Sequence, residues 1–373
     1  MKKHLAAATI LGACTVPGHA QSSVSIYGII DAGITFIDNQ AGKKQYKFAD
    51  GVNYGNRLGF KGSEDLGGGN RAIFVLENGF ALGTGGLRQS GRLFGRQSYV
   101  GLQSDSYGAF TMGRQYDLVK DYLTQMNVGG FASVYAGHQG DFDRISGQQL
   151  DNTVKYMSPD MKGFSFGALW KFGETAGNFH QGSAYSFGAG YKNGPLNVIG
   201  VYTHISDTTV YPYLQSGVFN FAGTTVATKN ASTGVVNDLY AAGLTVDSQA
   251  IAGAGISYAL GKLTLVANTS ATTFKRSTGS STMRVYEAGA IYPFSAQWLG
   301  IFGYQYAKMD NAHWNQPTVG ARYNLSKRTW LYGAFSYLKS TPNVNATQGA
   351  GFYTDVSDGT HQITTRLAMI HTF

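Results

Sequence analysis

The chain has a single cysteine, Cys14, and it lies in a short N-terminal segment that reads as a leader. Disulfides, thiolate metal sites and cysteine nucleophiles are therefore excluded from everything that follows it. An exported chain that must cross an oxidising compartment unfolded avoids mispairing in the same way. Proline is scarce, with 7 residues. Charged residues form only 13% of the chain, about half the usual share near 25% of a soluble protein. A soluble globule would need more charge on its surface. Long apolar runs are also missing after the leader, which excludes a bundle of membrane helices, each needing roughly 20 apolar residues. Yet mean hydropathy is slightly negative, −0.15. A sheet closed on itself, with one face in lipid and the other in water, satisfies all of these at once, because its apolar and polar residues alternate and average out.

Glycine (51), tyrosine (24) and phenylalanine (22) replace the missing charge. Lys2 and Lys3, an apolar run from Leu5 to Ala13, and the small-x-small triplet Gly18-His19-Ala20 form a secretory signal peptide over 1–20. Leu11-Gly12-Ala13-Cys14 loosely imitates a lipoprotein cleavage box, the weaker reading because Gly12 is awkward there. The mature chain then runs over 21–373. Losing Lys2 and Lys3 leaves 27 of the 29 basic residues against 21 acidic ones, a net charge of +6. No basic run exceeds two residues, so the balance does not build a nucleic-acid patch and instead suits contact with lipopolysaccharide phosphates.

Enzyme motifs are absent. None of the eight histidines has HExxH spacing, and no GxSxG elbow occurs. Gly67-Gly68-Gly69 is not followed by GK[ST] and reads as a turn. No residue set calls for a cofactor or a metal.

Period-two alternation dominates what remains. Val24, Ile26, Gly28, Ile30, Ala32, Ile34 and Phe36 share one parity, and Ser25, Tyr27, Asp31 and Thr35 the other. Thirteen residues of alternation suit a strand crossing a membrane at a tilt. Similar alternation appears at 183–191, 196–204, 298–306 and at the C-terminal end. In 94–102 and 329–339 both parities are partly apolar, so no face is assigned. Seven tight turns are predicted, at 64–70, 104–109, 159–163, 192–195, 261–262, 293–297 and 324–328, where Gly, Pro, Asn, Asp and Ser supply the backbone geometry. Longer polar stretches lie between them, at 38–55, 81–92, 117–151, 174–182, 208–248, 276–281, 309–315 and 340–360. Seven short connections alternating with eight long ones predict sixteen antiparallel strands, with both termini on the short-turn side. The oversized third and fifth loops, 117–151 and 208–248, are read as functional, one narrowing the pore and the other lying outside it. Aromatic groups Tyr292/Phe294/Trp298, Tyr323/Trp330/Tyr332 and Tyr99/Phe110 are predicted to form girdles at the lipid–water boundary.

In order along the chain, QSSVSIYGIIDAG (21–33), RLGFKG (57–62) with EDLGGG, GRQSYVGLQS (95–104), MGRQYD (112–117), LDNTVKYMSP (150–159) and the ending His371-Thr372-Phe373 resemble the trimeric Gram-negative general porins of β-proteobacterial type. The resemblance covers the mature chain. It implies an all-β fold, a 16-stranded antiparallel transmembrane β-barrel with an inward-folded third loop, in the outer membrane, assembled as a homotrimer. It implies a constriction with basic groups on the wall facing acidic groups on the third loop. Arg57 and Arg96 stand at the family's first two wall positions, with Arg114 and Lys61 as further wall candidates. Gln149 stands where the family has a third arginine. Asn127 stands where enteric members carry the loop glutamate, and Asp141 and Asp143 are the substitute acids. Phe373 resembles the terminal signal read by the barrel-assembly machinery. The expected function is passive passage of small hydrophilic solutes and ions with a weak anion preference. The alternatives are a substrate-selective channel of the same fold, or a surface adhesin or receptor working through 208–248.

Overall fold

A computed structural model describes residues 22–349 and 355–373. The leader at 1–20 and its Cys14 lie outside the described residues. Sixteen antiparallel strands close into one barrel. The first, β1, is Ser23–Gln40, and the second, β2, has two segments, Lys43–Asp50 and Arg57–Gly67. Then follow β3 (Asn70–Gly79), β4 (Gln97–Ser104), β5 (Gly108–Tyr116), β6 (Gln149–Met157), β7 (Phe164–Lys171), β8 (Ala184–Asn193) and β9 (Leu196–Val210). The far wall is β10 (Leu244–Leu260), β11 (Leu263–Arg276), β12 (Gly279–Pro293), β13 (Trp298–Met309), β14 (Ala312–Asn324), β15 (Thr329–Ser340) and β16 (His361–Thr372). All seven predicted tight turns join strands at one end, and the first and last described residues lie there too.

Closure is made by β1 against β16, from Ile29↔Thr372 to Ile37↔Thr364. With the barrel closed, each strand has a neighbour on both sides, the condition for a sheet to stand in hydrocarbon. The terminal Phe373 docks here. Its backbone exchanges hydrogen bonds with Gly28 at 3.2 Å, and its ring covers Gly28 so closely that a Cβ there would sit 2.3 Å from it. Only glycine leaves room for that ring.

The parity read from β1 is the parity observed. Val24, Ile26 and Ile34 face outward and are more than 60% exposed, while Asp31, Thr35 and Ile37 face inward and are fully buried. Tyr292, Phe294, Trp298 and Phe110 stand exposed on the outer face as a girdle. Trp330, Tyr332 and Tyr99 do not join it. Trp330 and Tyr332 are less than 9% exposed and point into the lumen; Tyr99, opposite Gly113 and Val75, shares their inward parity.

Three loops are shorter than expected. The stretch 38–55 is mostly strand, with a tight turn at Ala41-Gly42, both at positive φ, and a bend at 51–56 that interrupts β2 and dips inward. The stretches 276–281 and 309–315 shrink to two-residue turns, because strand alternation continues past the membrane in polar sequence. The fifth loop differs most. It does not lie outside the pore: Val218, Phe221 and Val226 pack inside the outer mouth on Phe142, Phe274 and Trp314, with Val344 and Ala346 of the last loop. Burying such side chains from water contributes about 1.5–3 kcal/mol each, which outweighs leaving the loop free in solvent. Only its tip stays out, with Val235 65% and Leu239 47% exposed.

One buried pair stitches seam to lumen. Arg366 of β16 donates to Asp31 of β1 at 3.0 Å, to Thr35 at 2.9 Å and to the Ala49 carbonyl at 3.1 Å. Asp31 also accepts from the backbone N–H groups of Asn53 and Tyr54 and from the Tyr332 hydroxyl. Removing one member of a buried pair leaves the other uncompensated, at about 3–5 kcal/mol. Arg366→Leu is therefore expected to lower the heat-denaturation midpoint of the detergent-folded barrel; an unchanged midpoint would show that the pair does not hold the seam.

Candidate functional site: the pore constriction

The third loop starts where β5 ends. Asp117 accepts from the Lys120 N–H and caps a one-turn helix, α1 (Leu118–Tyr122), and it pairs with Arg144 where the loop returns. Leu118, Val119, Tyr122, Leu123 and Met126 recur at helical spacing and are buried against Ile199 and Val201 of β9, Ile251 of β10 and Val266 of β11. The loop thus lies along the inside of the barrel. Lys120 is left on the face turned to the lumen. A second short helix, α2 (Val128–Ala132), crosses β12 to β15 and is capped by Asn127, which accepts from the Gly130 N–H at 2.9 Å.

The anchor of this loop is charged and dry. Glu287 of β12 accepts from the N–H groups of Val128 (3.2 Å) and Gly129 (2.6 Å) and from the Asn268 amide. His138, wholly buried, lies between Asp143 and Glu287. Burial pulls the His138 imidazole down, but Asp143 and Glu287 outweigh it and push it up to about 10. Asp143 is held below the usual carboxylate range: burial opposes this, and the His138 charge overcomes it. Gln305 and Gln316 bind the loop's backbone at Gly137 and Tyr135.

Between loop and near wall lies a cavity of about 1120 Å³. The 51–56 bend, Arg57, Arg88, Arg96 and Gln149 line one side; Lys120, Thr124, Asn127, Phe131 and Ser146 line the other. Among the described residues no carboxylate lines it. Glu77 stands behind Arg96, accepting from its Nε at 2.8 Å and from the Tyr27 hydroxyl at 2.9 Å. Arg88 is paired with Asp50 at the rim. Arg57 and Lys120 meet no carboxylate in an ion pair among the described residues, so neither charge is neutralised by a direct partner at the aperture.

The residues expected at the site separate into two groups. Arg57, Arg96, Gln149 and Asn127 come together around this cavity. Lys61, Arg114, Asp141 and Asp143 do not. Lys61 faces the lumen toward the short-turn end, 5.5 Å above the Tyr27 ring. Arg114 lies opposite Ser98 beside an irregularity of register between Gly113 and Gln115. There it leaves the lumen, donating to the Gly95 carbonyl and pairing with Asp151. Asp141 and Asp143 are buried because the returning limb of the loop turns its carboxylates inward, Asp141 onto Ser146 and Gln148 and Asp143 onto His138 and Ser270. Lys120 was missed, although the apolar spacing of residues 118 to 126 singles out the face it occupies. Glu287 had no local signal, since the loop N–H groups it holds, those of Gly129 and Val128, lie 158 and 159 residues away.

A model of the Gram-negative porins matches residues 7–343. The chain belongs to this porin family. An outer membrane porin of Bordetella pertussis is 31% identical over 388 residues, covering 91% of this chain and 95% of that one. Outer membrane porin protein 32 of Delftia acidovorans is 31% identical over 395 residues, with both chains fully covered. Among solved structures, an anion-selective porin from Comamonas acidovorans superposes with a TM-score of 0.76 at 25% identity, covering 95% of this chain and all of that one. The protein is an outer-membrane porin, a closed barrel that passes solutes across the Gram-negative outer membrane.

One porin property follows from Lys120. Burial, then repulsion from Arg57 and Arg96, pushes its ammonium down to about 8, against the attraction of Asp121 and Asp141. A lysine loses its charge as pH rises through its pKa, so the aperture loses one cation between about pH 7 and 9. Anion permeability relative to cations is expected to fall over that range in bilayer recordings, and Lys120→Met to flatten the response; a flat wild-type profile would show that Lys120 does not set the aperture's charge.

Proposed function

We propose that the protein is a trimeric general-diffusion porin that favours anions, with Arg57, Arg96 and Lys120 as the charged side of its aperture. The observation that carries this is the lining itself: four cations, of which Arg88 is tied to Asp50 at the rim, and no carboxylate among the described residues. Low-dielectric walls focus such a field along a narrow path. Arginine stays charged and offers five donors, so it attracts anions without trapping them covalently. The resemblance to a porin described as anion-selective supports the same sign. Neither Asp141 nor Asp143 opposes it, since both are spent on the loop's own hydrogen bonds. A homotrimer, lipopolysaccharide at the outer rim and recognition of Phe373 by the assembly machinery belong to this reading through the family. An adhesin working through 208–248 is disfavoured by that loop's inner half, which is packed inside the mouth.

Zero-current potentials of the reconstituted channel in a KCl gradient test the proposal. The expected sign is that of an anion-preferring pore, and Arg57→Gln combined with Lys120→Gln is expected to reduce the chloride-over-potassium permeability ratio roughly two- to tenfold. A cation-preferring wild type would overturn it.

A further inference from the structure

On the short-turn side of the constriction, a second cavity of about 700 Å³ lies between the underside of the third loop and the far wall. It opens beside the first, and the two share Asn53, Tyr54 and Phe131. Its lining is unlike a porin lumen. Ile291, Leu299 and Ile301 turn apolar side chains inward on β12 and β13, where water-filled channels present polar ones. Trp330 is buried there, with the Tyr54 ring edge-on to it at 6.0 Å.

One charge stands in this apolar wall. The Arg322 guanidinium stacks on the Trp330 ring, 4.0 Å from its centroid. Its Nε donates to Asn324 at 2.7 Å. Among the described residues no carboxylate pairs with it, and no hydrogen-bond acceptor meets its two terminal nitrogens. A guanidinium pinned by its face leaves its edge free, and that edge matches a carboxylate with two parallel hydrogen bonds. An unpaired cation beside a desolvated apolar surface selects a ligand with both characters.

We infer that this cavity is a binding subsite for amphipathic monocarboxylates, an aromatic or compact aliphatic body carrying one carboxylate. The carboxylate bonds to the Arg322 edge, and the body covers Leu299 and Ile301. The assignment rests on the anion-preferring aperture, which delivers such a ligand past Arg57 and Lys120 to the shared Tyr54–Phe131 boundary. It turns part of the traffic from free diffusion into saturable passage.

Benzoate, acetate and benzamide are the probes, added at constant ionic strength to the reconstituted full-length porin in planar bilayers. Benzoate is expected to reduce chloride current saturably, with a half-blocking concentration at least about fivefold below that of acetate or benzamide, as removal of a partly desolvated cation–aromatic site predicts. Arg322→Gln, Trp330→Ala and Leu299→Asn are each expected to raise the benzoate value toward that of acetate. Leu299→Asn keeps the test open if loss of the indole prevents folding. Equal block by benzoate and acetate, or block that survives in the folded variants, overturns the subsite. Equal block by benzamide overturns the assignment of the carboxylate to Arg322. The KCl zero-current potential recorded on the same channels separates the two readings: a cation-preferring sign defeats the aperture proposal, whereas an anion-preferring channel indifferent to benzoate defeats only the subsite.

Discussion

A sheet immersed in hydrocarbon must leave no backbone group unpaired, and here that condition is met at a single seam. The pairing of β1 with β16 closes the barrel, and Asp31 sits inside that seam. The same carboxylate holds Arg366 across the seam and accepts the N–H groups of Asn53 and Tyr54. Those two residues belong to the bend that breaks β2 and lines both cavities. Closure and aperture therefore share one anchor. Arg366, Tyr332 and two N–H groups give this carboxylate four donors, so a buried polar group that would be costly alone becomes the organising point of the near wall.

The opposite wall solves a different problem. A loop laid inside a barrel carries backbone groups that need partners, and strand side chains supply them: Glu287, Gln305 and Gln316 each meet a main-chain group of the third loop. Two of the loop's acids are consumed in this fixation, Asp143 through His138 and Asp141 through Ser146 and Gln148, while Asp121 stays exposed and pairs with Lys155. Acid that would otherwise face the lumen is turned into structure, and the aperture is left basic. The sign of the pore's field thus follows from how the loop is fastened as much as from how many arginines the wall carries.

Local physics made the barrel readable in advance. Period-two alternation and turn chemistry act over a few residues, so strand number, turn positions and the faces of β1 could be taken from the chain itself. The faces of 329–339 could not, because Trp330 and Tyr332 share a parity with apolar neighbours on both sides; only their contacts with Arg322 and Asp31 turn them inward. Arg96 and Arg114 look alike in sequence, each beside a glycine and a glutamine, yet Arg114 lies within β5 opposite Ser98 and takes the outward parity, while Arg96 lies just before β4 and turns to Glu77 in the lumen. Arg57 and Arg96 were placed by resemblance, which transmits position but not partners. Lys120 was legible in principle from the helical spacing around it. Glu287 was not, since its meaning depends on a segment more than 150 residues earlier in the chain.

The fifth loop divides its labour along its length. Its inner half is cemented into the mouth by Phe221, Val226 and their aromatic neighbours, while its tip stands exposed, tied back by the ion pair of Lys229 with Asp358. Change in the tip costs the pore nothing, and change in the root disturbs the vestibule through which every solute passes. Substitutions in the exposed tip are therefore expected to leave the conduit as it is, whereas substitutions in the root would reshape it.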